Sequence, residues 1–159
     1  MRIGVISDTH IPIVCDELPL VLKKYFKGVD MILHAGDLVE QCVLDQLLAY
    51  CPKVEAVCGN MDCAQLQTKL PAKKIIQAGK YTIGLTHGWG PPKNIADRIA
   101  KEFDNVDIIV FGHSHTPMNE TKNNVLFFNP GSATDMVNAK RSIGIIELNK
   151  EIKAKIISF

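Results

Sequence analysis

Five short polar clusters carry the side chains best suited to chemistry: Ser7-Asp8-Thr9-His10, His34-Ala35-Gly36-Asp37, Gly59-Asn60-Met61-Asp62, His87-Gly88 and Gly112-His113-Ser114-His115. Each begins where an apolar run stops. Imidazoles with a few carboxylates suit borderline divalent cations such as Mn²⁺, Fe²⁺, Co²⁺, Ni²⁺ or Zn²⁺. Of the five histidines, His10, His87, His113 and His115 fall in these clusters, and His34 lies three residues before Asp37. The spacing is even: 29 positions from Asp8 to Asp37, 23 to Asn60, 27 to His87 and 26 to His113. One strand unit per ligand gives that rhythm. The donors outnumber the needs of one ion, whereas two ions ~3.5–4 Å apart sharing a carboxylate would use them all. Such a pair binds phosphate oxygens, lowers the pKa of a bridging water and stabilises in-line displacement. No CxxC spacing occurs, which argues against a closed structural zinc site.

The elements that must position these groups are legible in the apolar pattern. Arg2–Ser7, Met31–His34 and Val54–Cys58 read as buried strands, and Leu18–Phe26 and Val43–Tyr50 have helical spacing. This β-α-β-α-β order predicts a parallel sheet with crossover helices. Lys73–Gln77 and Tyr81–Thr86 flank Ala78-Gly79-Lys80 as a hairpin, Ile95–Phe103 is a third helix, and Asp107–Phe111 is a strand. Val125–Phe128, Ser142–Leu148 and Lys153–Ser158 continue as strands, with Asn149-Lys150 as a turn. The expected class is α/β: two packed sheets with helices outside. Sites in such sheets form beyond the carboxyl ends of strands, which is where the clusters stand.

Composition narrows the function. The chain has 159 residues, 47% hydrophobic and 22% charged, with a formal charge of +1. That predicts a single domain over residues 1–159 and disfavours a protein that grips long duplex nucleic acid or a membrane surface by basic charge. No signal-peptide or transmembrane pattern is present, so the expected location is cytoplasmic. The five cysteines, Cys15, Cys42, Cys51, Cys58 and Cys63, are odd in number and read as free thiols. No GxxxxGK[ST] or GxGxxG occurs, so nucleotide-binding loops of those kinds are unsupported.

Taken together, Asp8-x-His10, Gly36-Asp37, Gly59-Asn60, His87-Gly88 and Gly112-His113-Ser114-His115 resemble the full signature of the calcineurin-like metallophosphoesterases. Asn129-Pro130-Gly131-Ser132 is similar to a segment of the small single-domain branch, which includes prokaryotic phosphodiesterases. The resemblance implies a two-sheet β-sandwich flanked by helices, the α/β/β/α metallophosphoesterase fold. It implies that Asp8, His10 and His115 hold one divalent ion, that Asn60, His87 and His113 hold the other, and that Asp37 bridges both. Mn²⁺ is the first choice of ion, with Ni²⁺, Fe²⁺, Co²⁺ and Zn²⁺ as alternatives. The implied activity is a phosphodiesterase acting on a small diester through a metal-bridging hydroxide, with His87 and His113 in the catalytic set. Small members often pair, so a homodimer is expected.

The sequence departs from the family at Met61, where a histidine that assists the leaving group is common; Asp62 follows instead. Asp62 is a candidate general acid, or it orients a histidine or water. The missing histidine tilts the reading towards diesters over monoesters. Two alternatives stay open: a phosphomonoesterase, and a non-catalytic interaction scaffold like the retromer subunit of the same branch, to which Asp8–Pro12 is similar. His34 reads as supporting rather than ligating. Trp89 is either a packing residue or a platform for an aromatic substrate group. Cys15 and Cys63 fall in loops near the expected site. Lys73-Lys74 and Lys150/Lys153/Lys155 read as solvated faces.

Overall fold

The computed structural model describes residues 1–11, 18–134 and 140–159. The first half runs β1 (Arg2–Ile6), α1 (Val21–Tyr25), β2 (Met31–His34), α2 (Gln41–Leu48), β3 (Val54–Ala56) and α3 (Ala64–Lys69). Then come β4 (Lys73–Ala78), β5 (Tyr81–Thr86), α4 (Ile95–Ile99) with a 3₁₀ turn at Ala100–Glu102, β6 (Ile108–Val110), β7 (Met118–Lys122), β8 (Val125–Asn129), β9 (Ser142–Leu148) and β10 (Ile152–Ser158). Two five-stranded mixed sheets result, in the orders β10-β9-β1-β2-β3 and β4-β5-β6-β8-β7. Strands β1, β2 and β3 are parallel in the first, as are β5, β6 and β8 in the second.

Successive side chains of a strand leave opposite faces of its sheet, and here both faces are covered. Ile3, Val5, Met31 and Leu33 meet Ile83, Leu85, Ile108, Val110 and Phe128 in a core between the sheets. The alternate residues Ile6, Ile32, Ile143 and Ile145 pack under Leu22, Phe26, Val43 and Leu47 of the helical layer. Ile109 and Phe127 do the same under Ile95, Ile99 and Phe103. The layers are therefore helix, sheet, sheet, helix. Burial on two faces is why β1, β2 and β6 read as unbroken apolar runs rather than alternating ones.

The structure corrects several boundaries. The first helix is shorter than Leu18–Phe26, because Pro19 and Leu20 accept the Leu22 and Lys23 N–H groups in a tighter turn before it. The second starts at Gln41 and ends at Leu48, displaced two residues from the apolar stripe. The third passes into 3₁₀ geometry after Ile99. Helix α3 and strand β7 were not expected. Leu66 is the sole buried residue of α3, and β7 is an exposed edge strand, so neither has a periodic apolar face to announce it.

Candidate metal centre

The carboxyl ends of β1, β2, β3, β5 and β6 lead directly into the candidate ligands. Backbone bonds lace these ends together: Asp8 N–H to Gly36 O at 3.1 Å, His10 N–H to Asp37 O at 3.1 Å, and Gly112 N–H to His87 O at 3.1 Å. The two sheets are joined here by His113 N–H, which donates to both Asp8 carboxylate oxygens at 3.1 and 3.2 Å. Asp8, His10, Asp37, His113 and His115 all have positive φ, between 45° and 66°. Left-handed backbone at a non-glycine residue is uncommon and costs free energy, so five such residues in one place require an over-determined surrounding. Two glycines permit the crowding. A Cβ on Gly59 would strike the Asp37 carboxylate, and one on Gly112 would strike Ser7 Oγ and lie 2.7 Å from Asp8 Oδ2.

The side chains converge in two groups. His10 Nε2 and His115 Nε2 are 3.1 Å apart, and they lie 3.8 and 3.3 Å from Asp8 Oδ1. On the other side His87 Nε2 and His113 Nδ1 each lie 3.1 Å from Asn60 Oδ1. Asp37 Oδ2 stands between the groups, 3.3 Å from His87 Nε2 and 3.8 Å from His10 Nε2. Asp8, His10 and His115 present atoms close enough to share one ion, as do Asp8, Asp37 and His87.

The donor chemistry fits a cation. His87 Nδ1 faces Ala35 O at 2.7 Å, and His113 Nε2 faces Gly90 O at 2.8 Å. A carbonyl only accepts, so these nitrogens carry the ring protons. The remaining nitrogens then face Asn60 Oδ1 as acceptors, and nothing in that trio supplies a hydrogen. A cation with N and O ligands at ~2.1 Å satisfies such a cluster, since ligand atoms around it stand roughly 3–3.5 Å apart. Metal-binding histidines typically give their second N–H to a carbonyl in this way. Burial pushes the Asp37 carboxyl up, but hydrogen bonding to His87, its charge and the Met61 N–H outweigh that and hold it below its usual value. Burial likewise lowers His87, yet Asp37 and Asp8 raise it overall.

A supporting layer was only partly visible in the sequence. His34 is fully buried and burial lowers it to about 3, so it is neutral. Its Nδ1 accepts from Gly36 N–H at 3.2 Å, and its Nε2 donates to Thr9 Oγ1 at 3.3 Å. His34 thus connects the loop of Asp8 and His10 to the loop of Asp37 and is not itself a ligand. Asp62 is also buried; its Oδ1 accepts from Val39 N–H and its Oδ2 from Gly59 N–H, both at 2.7 Å. Val39 has φ of 76°, a conformation that a β-branched residue adopts only under constraint. Ser132 Oγ–H donates to Asp8 O at 2.8 Å, and Asn129 Nδ2 donates to Gly112 O at 2.8 Å. Ser7, Thr9, Asn129 and Ser132 were not singled out individually as site residues. Their signal was burial of small polar side chains, which only the fold reveals.

Other expectations resolve as follows. Cys51, Cys58 and Cys63 are free thiols, whereas Cys42 is disulfide-bonded, which corrects the free-thiol reading there; tertiary proximity, not spacing, decides such a bond. Burial and the Asp62 charge push the Cys58 thiol up to about 11, so it is a poor nucleophile. Cys15 lies outside the described residues. Lys74 is not simply solvated, since its Nζ contacts Glu55 Oε2 at 2.7 Å. Among the described residues no helix is long and apolar enough to cross a membrane.

Comparison with known proteins gives a consistent family. The profile of the calcineurin-like phosphoesterase superfamily domain matches residues 1–151. A protein of Methanocaldococcus jannaschii named as a probable metallophosphoesterase is 36% identical over 160 residues, covering 99% of this chain and 81% of its own. The solved structure of Entamoeba histolytica Vps29 complexed with Zn²⁺ is 27% identical, covers 99% of each chain and has a TM-score of 0.76. A structure described as a novel archaeal phosphodiesterase shares the fold at 24% identity and a TM-score of 0.76, over 99% of this chain and 100% of its own. With its fold, its cluster of candidate cation ligands and this match, the chain belongs to the calcineurin-like phosphoesterase superfamily.

Proposed function

We propose that this protein is a dinuclear metal-dependent phosphodiesterase acting on small diesters, with Mn²⁺ as the first candidate ion. The observation that carries the reading is the convergence of nitrogen and oxygen ligand atoms on two sides of Asp37 Oδ2. Asp8, His10 and His115 hold one ion, Asn60, His87 and His113 hold the other, and Asp37 serves both. When bound, the ions supply Lewis acidity towards phosphate oxygens and a water of lowered pKa. Asp37 Oδ1 is engaged by Met61 N–H at 2.7 Å, which leaves Oδ2 directed to the shared position. Asp62, with both oxygens on backbone N–H groups, acts by fixing Val39 and Gly59 rather than by delivering a proton. The site therefore has no histidine beside Asn60 to assist a poor leaving group, which supports diesters of good leaving groups over monoesters. The archaeal neighbour described as a phosphodiesterase supports the same choice.

The test is hydrolysis of bis-p-nitrophenyl phosphate against p-nitrophenyl phosphate by protein stripped of metal and then given Mn²⁺. Diester turnover that appears only with metal is expected. Turnover mainly of the monoester moves the assignment to a phosphatase. Likeness to Vps29 favours a second reading, an interaction scaffold, and that reading gains if neither ester is turned over and a partner co-purifies.

A further inference from the structure

Two large apolar side chains stand exposed beside the ligands: Trp89, 57% exposed and two residues after His87, and Met61, 56% exposed and next to Asn60. Gly90, next to Trp89, gives its carbonyl to His113 Nε2, and Met61 N–H donates to Asp37 Oδ1, so both residues leave the backbone at the candidate centre. Trp89 is held in place rather than loose. Its indole N–H donates to Glu102 Oε1 at 2.7 Å, and the Arg98 guanidinium carbon lies 5.5 Å from the ring centroid. Arg98 also donates from Nε and Nη2 to Trp89 O, from Nη1 to Lys93 O at 2.8 Å, and from Nη2 to Pro91 O. The next residue, Gly90, gives its carbonyl to His113 Nε2. One loop thus fixes a candidate ligand and an immobilised, exposed ring together.

A rigid ring loses little entropy when a planar group stacks on it. Exposed apolar surface beside a site marks a ligand contact more often than an isolated surface residue does. We infer that Trp89, with Met61 as an adaptable apolar neighbour, forms a subsite for the base of a nucleoside esterified to the phosphate. The Glu102 carboxylate and the Arg98 guanidinium against the same ring offset one another in charge, which favours a neutral heterocycle there. This specificity rests on the proposed phosphoesterase reading, because the metal ligands must hold the phosphate.

Trp89 is the chain's single tryptophan, so its emission reports the subsite directly. The Mn²⁺-loaded full chain is titrated with AMP and, in parallel, with ribose 5-phosphate. The expected result is saturable quenching by AMP alone, with AMP inhibiting bis-p-nitrophenyl phosphate hydrolysis at least ~5-fold more tightly than ribose 5-phosphate, the gain of one base–aromatic stack. Trp89→Ala should erase that AMP preference and Trp89→Phe should retain most of it, with metal content unchanged in both. Equal inhibition without saturable quenching, while metal-dependent turnover persists, overturns the subsite and leaves the activity standing. Saturable quenching by AMP without any metal-dependent turnover keeps the subsite and overturns the activity. Absence of both removes both.

Discussion

The two halves of the candidate centre are held by different means. His87 has a side chain 4% exposed, and it and His113 each have a ring nitrogen on a backbone carbonyl. Their ring settings are fixed before any ion arrives. His10 and His115 have side chains 29% and 33% exposed and point Nε2 at one another across 3.1 Å. Asp8 Oδ1 lies within 3.8 Å of both rings, and both residues have left-handed backbone. Carbonyl partners that orient ligating histidines are typically worth ~10–100-fold in metal affinity. The contrast is one of exposure: the His87 imidazole is shut away from solvent, whereas those of His10 and His115 stand at the edge of the centre.

The largest effect is expected where the halves meet. Asp37→Ala removes the shared oxygen and should lower metal-dependent diester turnover on the order of 100- to 1000-fold, with loss of bound metal from both halves. Unchanged turnover in a folded variant would sink the shared-ligand assignment. The comparison itself is sharpened by metal titration of His113→Ala and His115→Ala. The first should lose the ion held with Asn60 and His87 and the second the ion held with Asp8 and His10, each variant keeping the other class of site. Indistinguishable isotherms for the two variants break the contrast.

Smaller effects test the supporting layer. Asp62→Ala strands two backbone N–H groups, at a cost of about 1–3 kcal/mol each, and frees the loops of Asp37 and Asn60. Thermal denaturation should rank the native chain above Asp62→Asn, with its single acceptor oxygen, and that above Asp62→Ala. Metal affinity should follow the same order, and equal melting temperatures would count against the clamp. The last effect, a pH dependence, concerns His34. Its ordinary pKa is 6.5 and burial lowers it to about 3. Between those values the unfolded chain binds a proton that the folded chain refuses, so stability falls as pH drops through this window, by at most ~1.4 kcal/mol per pH unit. His34→Gln should flatten that part of the stability curve relative to the native chain. An unaltered slope by chemical denaturation at pH 4–6 contradicts the buried neutral role.

How much was legible depended on how local each cause was. Strands β1, β2 and β6 were visible because both faces are buried and the apolar runs are continuous. Helix α3 and strand β7 were not, because one buried leucine or an exposed edge leaves no periodic signal. The order of ligands could be read because each follows a strand. The five left-handed residues among them could not, although Asp, Asn and His are the residue types that tolerate that backbone best.

The sequence by itself determined the chemistry on offer: imidazoles, carboxylates and a carboxamide, one set per strand end, in a chain with apolar runs enough for two covered sheets. Periodicity and residue type are local quantities, so they survive in one dimension. Only the tertiary structure decided how those groups are used. It brought Asp37 Oδ2 between two ligand groups, turned Asp62 towards the backbone of Val39 and Gly59, and placed neutral His34 between two loops. It also fixed an exposed indole against Glu102 and Arg98 in the loop that follows His87. Those outcomes depend on distances of a few ångströms between residues up to 105 positions apart, as for Asp8 and His113, and no spacing along the chain encodes them.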